Sequence, residues 1–154
     1  MSKDEPATVT GGCLCGGVRY RIDGSCRDII ICHCQNCRRT HGHVGAYTAV
    51  DRAALTLLEQ QSLQWYHDAS PDTWRGFCNA CGASLFWDAR AGNGRISVAA
   101  GSLDDSGNLK TVGHVFVAEA GDYYRIDDGL PQFARGNAGA LESAEAESNE
   151  SGKG

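Results

Sequence analysis

Apolar and polar residues alternate with a period of two along much of the chain, in short stretches. Val18-Arg19-Tyr20-Arg21-Ile22 is the plainest case and predicts a half-buried strand, ended by Gly24-Ser25. Residues 28–31 form an apolar run that leads directly into a cysteine cluster, and an apolar segment through Ala46, Tyr47, Ala49 and Val50 follows. Residues 55–58, 63–67, 74–77, 83–87, 95–100 and 114–118 read as further strands, with 121–126 as one more candidate. Residues 51–54 make a turn or one helical turn, and Ala69-Ser70-Pro71-Asp72 is a turn by its residue chemistry. No stretch sustains a 3.6-residue repeat. Many short strands joined by Gly-rich turns therefore predict a mainly β fold.

At 154 residues, with 42% hydrophobic residues and 20 Gly, the chain suits one turn-rich domain with its own core. The expected layout is a flexible leader over 1–10, a folded part over 11–136 and a disordered acidic tail over 137–154. The net charge is −5, of which the tail supplies −3, and no basic patch emerges. Nucleic-acid binding thus has no electrostatic support. No apolar run is long enough to span a membrane, and MSKDEPATVT lacks the apolar core of a secretory signal. The expectation is a cytoplasmic protein whose thiols stay reduced. Self-association into a homo-oligomer is left open by the composition.

Against that background the eight cysteines stand out, because seven fall in three clusters: Cys13-x-Cys15, Cys32-x-Cys34-x-x-Cys37 and Cys78-x-x-Cys81. In a reducing compartment such clusters read as metal ligands before disulfides, and Cys-x-Cys is too close to bridge itself comfortably. Thiolate sulfur suits Zn²⁺; a closed structural site takes four ligands and a catalytic site commonly three. Seven cysteines fit one of each. Spacing alone allows two pairings. Cys34, Cys37, Cys78 and Cys81 could form a ribbon-like set, leaving Cys13, Cys15 and Cys32. The alternative joins Cys13 and Cys15 to Cys78 and Cys81 and is preferred, since it keeps the Cys32-Cys34-Cys37 tripod whole. Iron in place of zinc is a further reading, which color would decide. Cys26 is left as a free thiol or small buried hydrophobe.

The segments GGCLCGGVRY, CHCQNCRRTHG, GFCNACGASLFW, GSLDD, HVFV and DDGLPQF, in this order, resemble the glutathione-dependent formaldehyde-activating enzyme (GFA) family, relatives of centromere protein V. The resemblance covers about residues 11–133. It implies a zinc-bound complex β-sandwich of short antiparallel strands. It implies two Zn²⁺ per chain: a structural ion on Cys13, Cys15, Cys78 and Cys81, and a catalytic ion on Cys32, Cys34 and Cys37. The implied activity is that of a carbon–sulfur lyase, in which glutathione and formaldehyde combine reversibly to S-(hydroxymethyl)glutathione. Its partners would be a glutathione-like thiol and a small aldehyde. The competing reading is a non-catalytic zinc module that binds a protein or thiol ligand.

The chemistry follows from the tripod. Three thiolates on Zn²⁺ leave a net negative centre, which Arg38 and Arg39 are placed to offset. A thiol entering the fourth position would lose its proton and become a nucleophile at neutral pH. His41 and His43, expected in the following loop, would turn the site structural if either filled that position. His33 is read as pointing away from the metal toward a surface or shell position, and His114, opening a strand, as a structural residue or pocket wall. Trp65 and Trp74 are candidate pocket-lining residues, Phe86 and Trp87 core residues, and Ser102-Leu103-Asp104-Asp105 a turn with local side-chain bonds. Arg38, Arg39, Arg75 and Arg95 are candidate partners for ligand carboxylates.

Overall fold

The alternating stretches become strands, and the order of elements is largely the one the pattern predicts. In the computed structural model, which describes residues 8–69, 72–90 and 94–136, the elements run β1 (Thr8–Gly12), β2 (Arg19–Asp23), β3 (Ile29–Cys32), α1 (Gln35–His41), β4 (Gly45–Asp51), β5 (Leu55–Glu59), β6 (Leu63–Asp68), β7 (Thr73–Cys78), β8 (Ser84–Asp88), β9 (Arg95–Ala99) and β10 (Thr111–Val115). Single 3₁₀ turns lie at Arg52–Ala54, Ala100–Ser102 and Val117–Glu119. The expected tail at 137–154 and the leader over 1–7 lie outside the described residues. Residues 8–10, also expected in the leader, instead belong to β1, because Thr8 to Gly12 pair antiparallel with Asp23 to Arg19. The contacts divide the described residues into two compact units: those of 8–27 with those of 48–108, and 28–47 with 109–136.

The first unit holds the antiparallel sheet β1-β2-β5 and the run β4-β9-β8-β7-β6. Its core takes Tyr20 and Ile22 from β2, Leu85 and Phe86 from β8, Ile96 and Val98 from β9, and also Val18 and Val50. The Tyr20 and Phe86 rings meet edge-on at 5.5 Å. The Tyr20 hydroxyl donates to Ser102 Oγ at 2.6 Å, since Ser102 itself donates to the Ala99 carbonyl. Burial pushes this phenol up to about 12. Gly11 is glycine because a Cβ would lie 2.3 Å from that hydroxyl.

Two expectations change here. Asp104 does not bond locally. It takes two hydrogen bonds from Arg19 and one from Thr10, tying the GSLDD segment to β1 and β2. The local side-chain bonds are those of Ser102 to the Ala99 carbonyl and of Asp105 from the Gly107 amide. Trp65 and Trp74 do not line an open pocket: the Arg90 guanidinium lies over both rings, at 5.3 and 3.9 Å, and His67 stacks on Trp74 at 4.1 Å.

In the second unit β3 lies between β10 and the first residues of β4. The β3–β10 pair is parallel, which departs from the expected all-antiparallel arrangement; about 80 residues separate the two strands, ample for the crossover that parallel pairing requires. Ile30 and Val115 form a small apolar cluster with Cys32, Val112, Phe116 and Phe133. The strand expected at 114–118 is shifted: β10 ends at Val115, Phe116 takes a left-handed conformation (φ 56°), and a 3₁₀ turn follows. Residues 121–126 form no strand. The DDGLPQF segment instead lies along β10, with His114 N–H donating to the Pro131 carbonyl and Phe133 N–H to the His114 carbonyl, each at 2.9 Å.

Truncation of Phe86 to Ala should cost about 3–5 kcal/mol, because a fully buried ring leaves a cavity that its neighbours fill only in part. Leu58→Ala, at a half-exposed site on β5, should change stability by less than about 0.5 kcal/mol. Urea unfolding of both variants, measured in the presence of zinc, checks this pair.

Candidate metal centres

Two groups of cysteine sulfurs converge, one in each unit. Within each group every sulfur lies within 4.8 Å of the others. All eight cysteines are free thiols.

The first group joins Cys13 and Cys15 to Cys78 and Cys81, the preferred pairing. The hairpin β7–β8 presents Cys78 at its end, where Cys78 N–H donates to the Ala83 carbonyl and Gly82, at φ 81°, turns the chain back. The loop between β1 and β2 presents the other pair. Sulfur separations are 3.7 Å for Cys13 and Cys15 and 3.6 Å for Cys15 and Cys78. A tetrahedron with zinc–sulfur bonds of about 2.3 Å has edges of about 3.8 Å. The set therefore fits a closed Zn²⁺ site. Backbone amides already point at the sulfurs: Val18 N–H to Cys13, Gly17 N–H to Cys15 and Cys81 N–H to Cys78. The buried Ser62 hydroxyl, 3.2 Å from Cys78 Sγ, is the first of the groups that draw that thiol down to about 6. Sequence reasoning missed Ser62, which sits 16 residues away with no motif of its own.

The second group is Cys32, Cys34 and Cys37. Cys32 ends β3, so a strand fixes the first sulfur. Cys34 then caps α1, its sulfur accepting the Cys37 amide at 3.3 Å, as a Ser or Asp oxygen does at other helix starts. One CxxC turn thus starts a helix and orients two sulfurs. The helix ends at Gly42, whose φ of 80° suits glycine and whose N–H returns to the Arg38 carbonyl. Residues 38–41 are therefore helical, so His41 does not lie in the expected loop, whereas His43 does. Gly45 lacks a side chain where a Cβ would stand 3.0 Å from Cys37 Sγ. With no cation, the three thiols share their protons unevenly. Hydrogen bonds from Cys32 and then Cys37 pull Cys34 down to about 2, and the same contact with Cys34 pushes Cys32 far up. A divalent cation would allow all three to ionise together.

Among the described residues no histidine or carboxylate joins this trio. His41 and His43 do not close the site. His41 Nε2 bonds the Tyr47 hydroxyl at 2.8 Å and His43 Nδ1 the Tyr123 hydroxyl at 2.6 Å. His33 is not on the surface. It is 2% exposed, with Nδ1 2.6 Å from the Tyr124 hydroxyl and Nε2 2.8 Å from His114 Nδ1. His114 in turn bonds Asp128 at 2.7 Å. Burial first, then the neighbouring imidazoles of His114 and His43, lower the basicity of His33. Tyr124 and Asp128 were not singled out from sequence, because they stand 91 and 95 residues from His33. Arg38 lies half-buried beside the trio in sequence, its Nε buried without a hydrogen-bond partner among the described residues, while Arg39 is exposed. Arg75 and Arg95 belong to the first unit, and Arg95 is engaged by the Ala49 carbonyl and Asp51. Cys26 packs half-buried against the first core, and burial raises its thiol.

Metal analysis of purified protein should find two zinc ions per chain. Cys34→Ser should keep one and remain folded. Cys78→Ser should lose cooperative unfolding altogether, because structural zinc binding, at about 10 kcal/mol, rivals the whole stability of a small domain. Two zincs retained in Cys34→Ser would contradict the division into separate sites.

A family model described as glutathione-dependent formaldehyde-activating enzyme matches residues 8–119, a span that includes all seven clustered cysteines. Among solved structures, a crystal structure of a Rhodobacter sphaeroides protein from a structural genomics programme is similar in fold, with a TM-score of 0.50 and 22% identity over 67% of this chain and 99% of that one. With two cysteine groups suited to zinc on a mainly β framework, the chain belongs to the glutathione-dependent formaldehyde-activating enzyme family.

Proposed function

We propose that this chain is a zinc-dependent carbon–sulfur lyase that adds formaldehyde, or a similar small aldehyde, to a glutathione-type thiol and removes it again. The observation that carries the reading is the three-sulfur group of Cys32, Cys34 and Cys37, which no fourth side-chain ligand completes among the described residues. A zinc ion held there would supply an electrophilic position that lowers the pKa of an entering thiol.

The chain's own residues do the rest. The end of β3 and the first turn of α1 hold the sulfurs at fixed spacing, so a ligand meets a preformed site. The Cys37 amide donates to Cys34 Sγ and tempers the charge on that sulfur. Arg38 and Arg39 place positive charge beside it, available to the carboxylates of a glutathione-like ligand. The four-sulfur group has no open position and takes the structural role, tying the β1–β2 loop to the tip of the β7–β8 hairpin. Reduced thiols are a condition of both roles, which favours the cytoplasm. No helix among the described residues is long and apolar enough to cross a membrane.

The adduct also forms without catalysis, so the test is acceleration. Exchange NMR on glutathione with ¹³C-formaldehyde should show interconversion with S-(hydroxymethyl)glutathione speeding up in proportion to added protein. Cys34→Ser should return it to the uncatalysed rate. Colourless protein with two zincs and no acceleration would remove the enzyme reading and leave the non-catalytic zinc module.

A further inference from the structure

Four side chains of the second unit form one hydrogen-bonded line: Tyr124 Oη to His33 Nδ1 at 2.6 Å, His33 Nε2 to His114 Nδ1 at 2.8 Å, and His114 Nε2 to Asp128 Oδ2 at 2.7 Å. The two imidazoles are 2% and 4% exposed, whereas the Asp128 side chain is 43% exposed. The other Asp128 oxygen accepts the Leu130 amide, which fixes the carboxylate.

With both imidazoles neutral, the direction of every bond in the line follows from its last member. An ionised carboxylate can only accept, so His114 donates from Nε2. A neutral His114 then offers a lone pair at Nδ1, and His33 donates to it from Nε2. His33 Nδ1 is left as an acceptor, and the Tyr124 hydroxyl hydrogen points at it. The Gly121 amide also faces the phenol oxygen, which leaves one lone pair for a further donor. The same logic operates wherever a buried carboxylate selects the tautomer of a catalytic imidazole.

The geometry points to Asp128 as a positioning residue: by fixing the tautomers of His114 and His33, it makes Tyr124 present an oxygen lone pair, and not its hydrogen, to a ligand at the Cys32-Cys34-Cys37 site. Tyr124 stacks on the ring of His33, which stands between Cys32 and Cys34 in the chain, with centroids 5.5 Å apart. The ligand that profits is a protic one, bearing the S–H of a thiol or the O–H of its hydroxymethyl adduct. This ligand class rests on the lyase reading above, whereas the direction of the line does not.

The experiment is a long-range ¹H–¹⁵N correlation spectrum of the zinc-loaded protein, paired with calorimetric binding of glutathione and of S-methylglutathione, which has no S–H. In the wild type both His33 and His114 should be neutral Nε2–H tautomers. Asp128→Asn keeps the shape but can donate as well as accept, so the line is free to reverse. Nδ1–H forms of both histidines should appear, and glutathione affinity should fall about tenfold, the worth of one well-made hydrogen bond. S-methylglutathione affinity should not move. Tyr124→Phe should produce the same loss with the tautomers kept. A wild-type His33 that is Nδ1–H or doubly protonated overturns the proposal, as does an Asp128→Asn protein whose tautomers change while glutathione affinity stays. Wild-type protein with the predicted tautomers and no glutathione binding at all would instead overturn the lyase reading and the ligand class with it.

Discussion

Sulfur atoms 3.6–3.7 Å apart can share protons as thiols, but they repel strongly once ionised. The fold brings such groups together twice, and at each place the backbone is arranged for the ionised form. Amides of Val18, Gly17 and Cys81 point at sulfurs of the first group, and the Cys37 amide points at Cys34 in the second. Hydrogen bonds of this kind favour thiolate over thiol but cannot offset the repulsion among three or four of them. A divalent cation can. A bound metal would thus reconcile the positions of residues 13, 15, 78 and 81, and of 32, 34 and 37, with their charge. Strand ends, hairpin tip and helix start are the means of holding those positions.

The two groups differ in completeness, and on the proposed reading the difference separates their roles. Four sulfurs of the first unit lie within 4.8 Å of one another, enough ligands for a closed tetrahedral site, beside a core that includes Cys78 itself, fully buried. Three sulfurs in the second unit come from a six-residue stretch, with His33 between two of them turned into a buried polar line. That line is fully bonded, which a buried polar group needs if it is not to cost stability. His33 thus has both ring nitrogens engaged and does not join the three sulfurs.

The sequence made the strands and the cysteine groups legible for physical reasons. Tyr20 and Ile22 alternate with Arg19 and Arg21, and only a strand puts the first pair inside. Clustered cysteines leave few alternatives to a soft metal. What escaped was non-local or short. Helix α1 has seven residues, too few to show a repeating face, and its cap is a cysteine, which reads first as a ligand. The parallel partner of β3 cannot be read from either strand alone. Trp65 and Trp74 read as pocket aromatics because Arg90, their cover, carries no signal of it. His33 read as a surface or shell residue because Tyr124 and His114 lie 91 and 81 residues away.

Zinc X-ray absorption on the fully loaded protein tests the central claim most directly. Seven cysteine sulfurs over two ions predict about three and a half sulfurs per zinc, with a lighter oxygen scatterer making up the rest, rising to about four sulfurs when glutathione is added. Four sulfurs per zinc before any thiol is added, or a nitrogen ligand that glutathione does not displace, would contradict the account of one closed and one open centre.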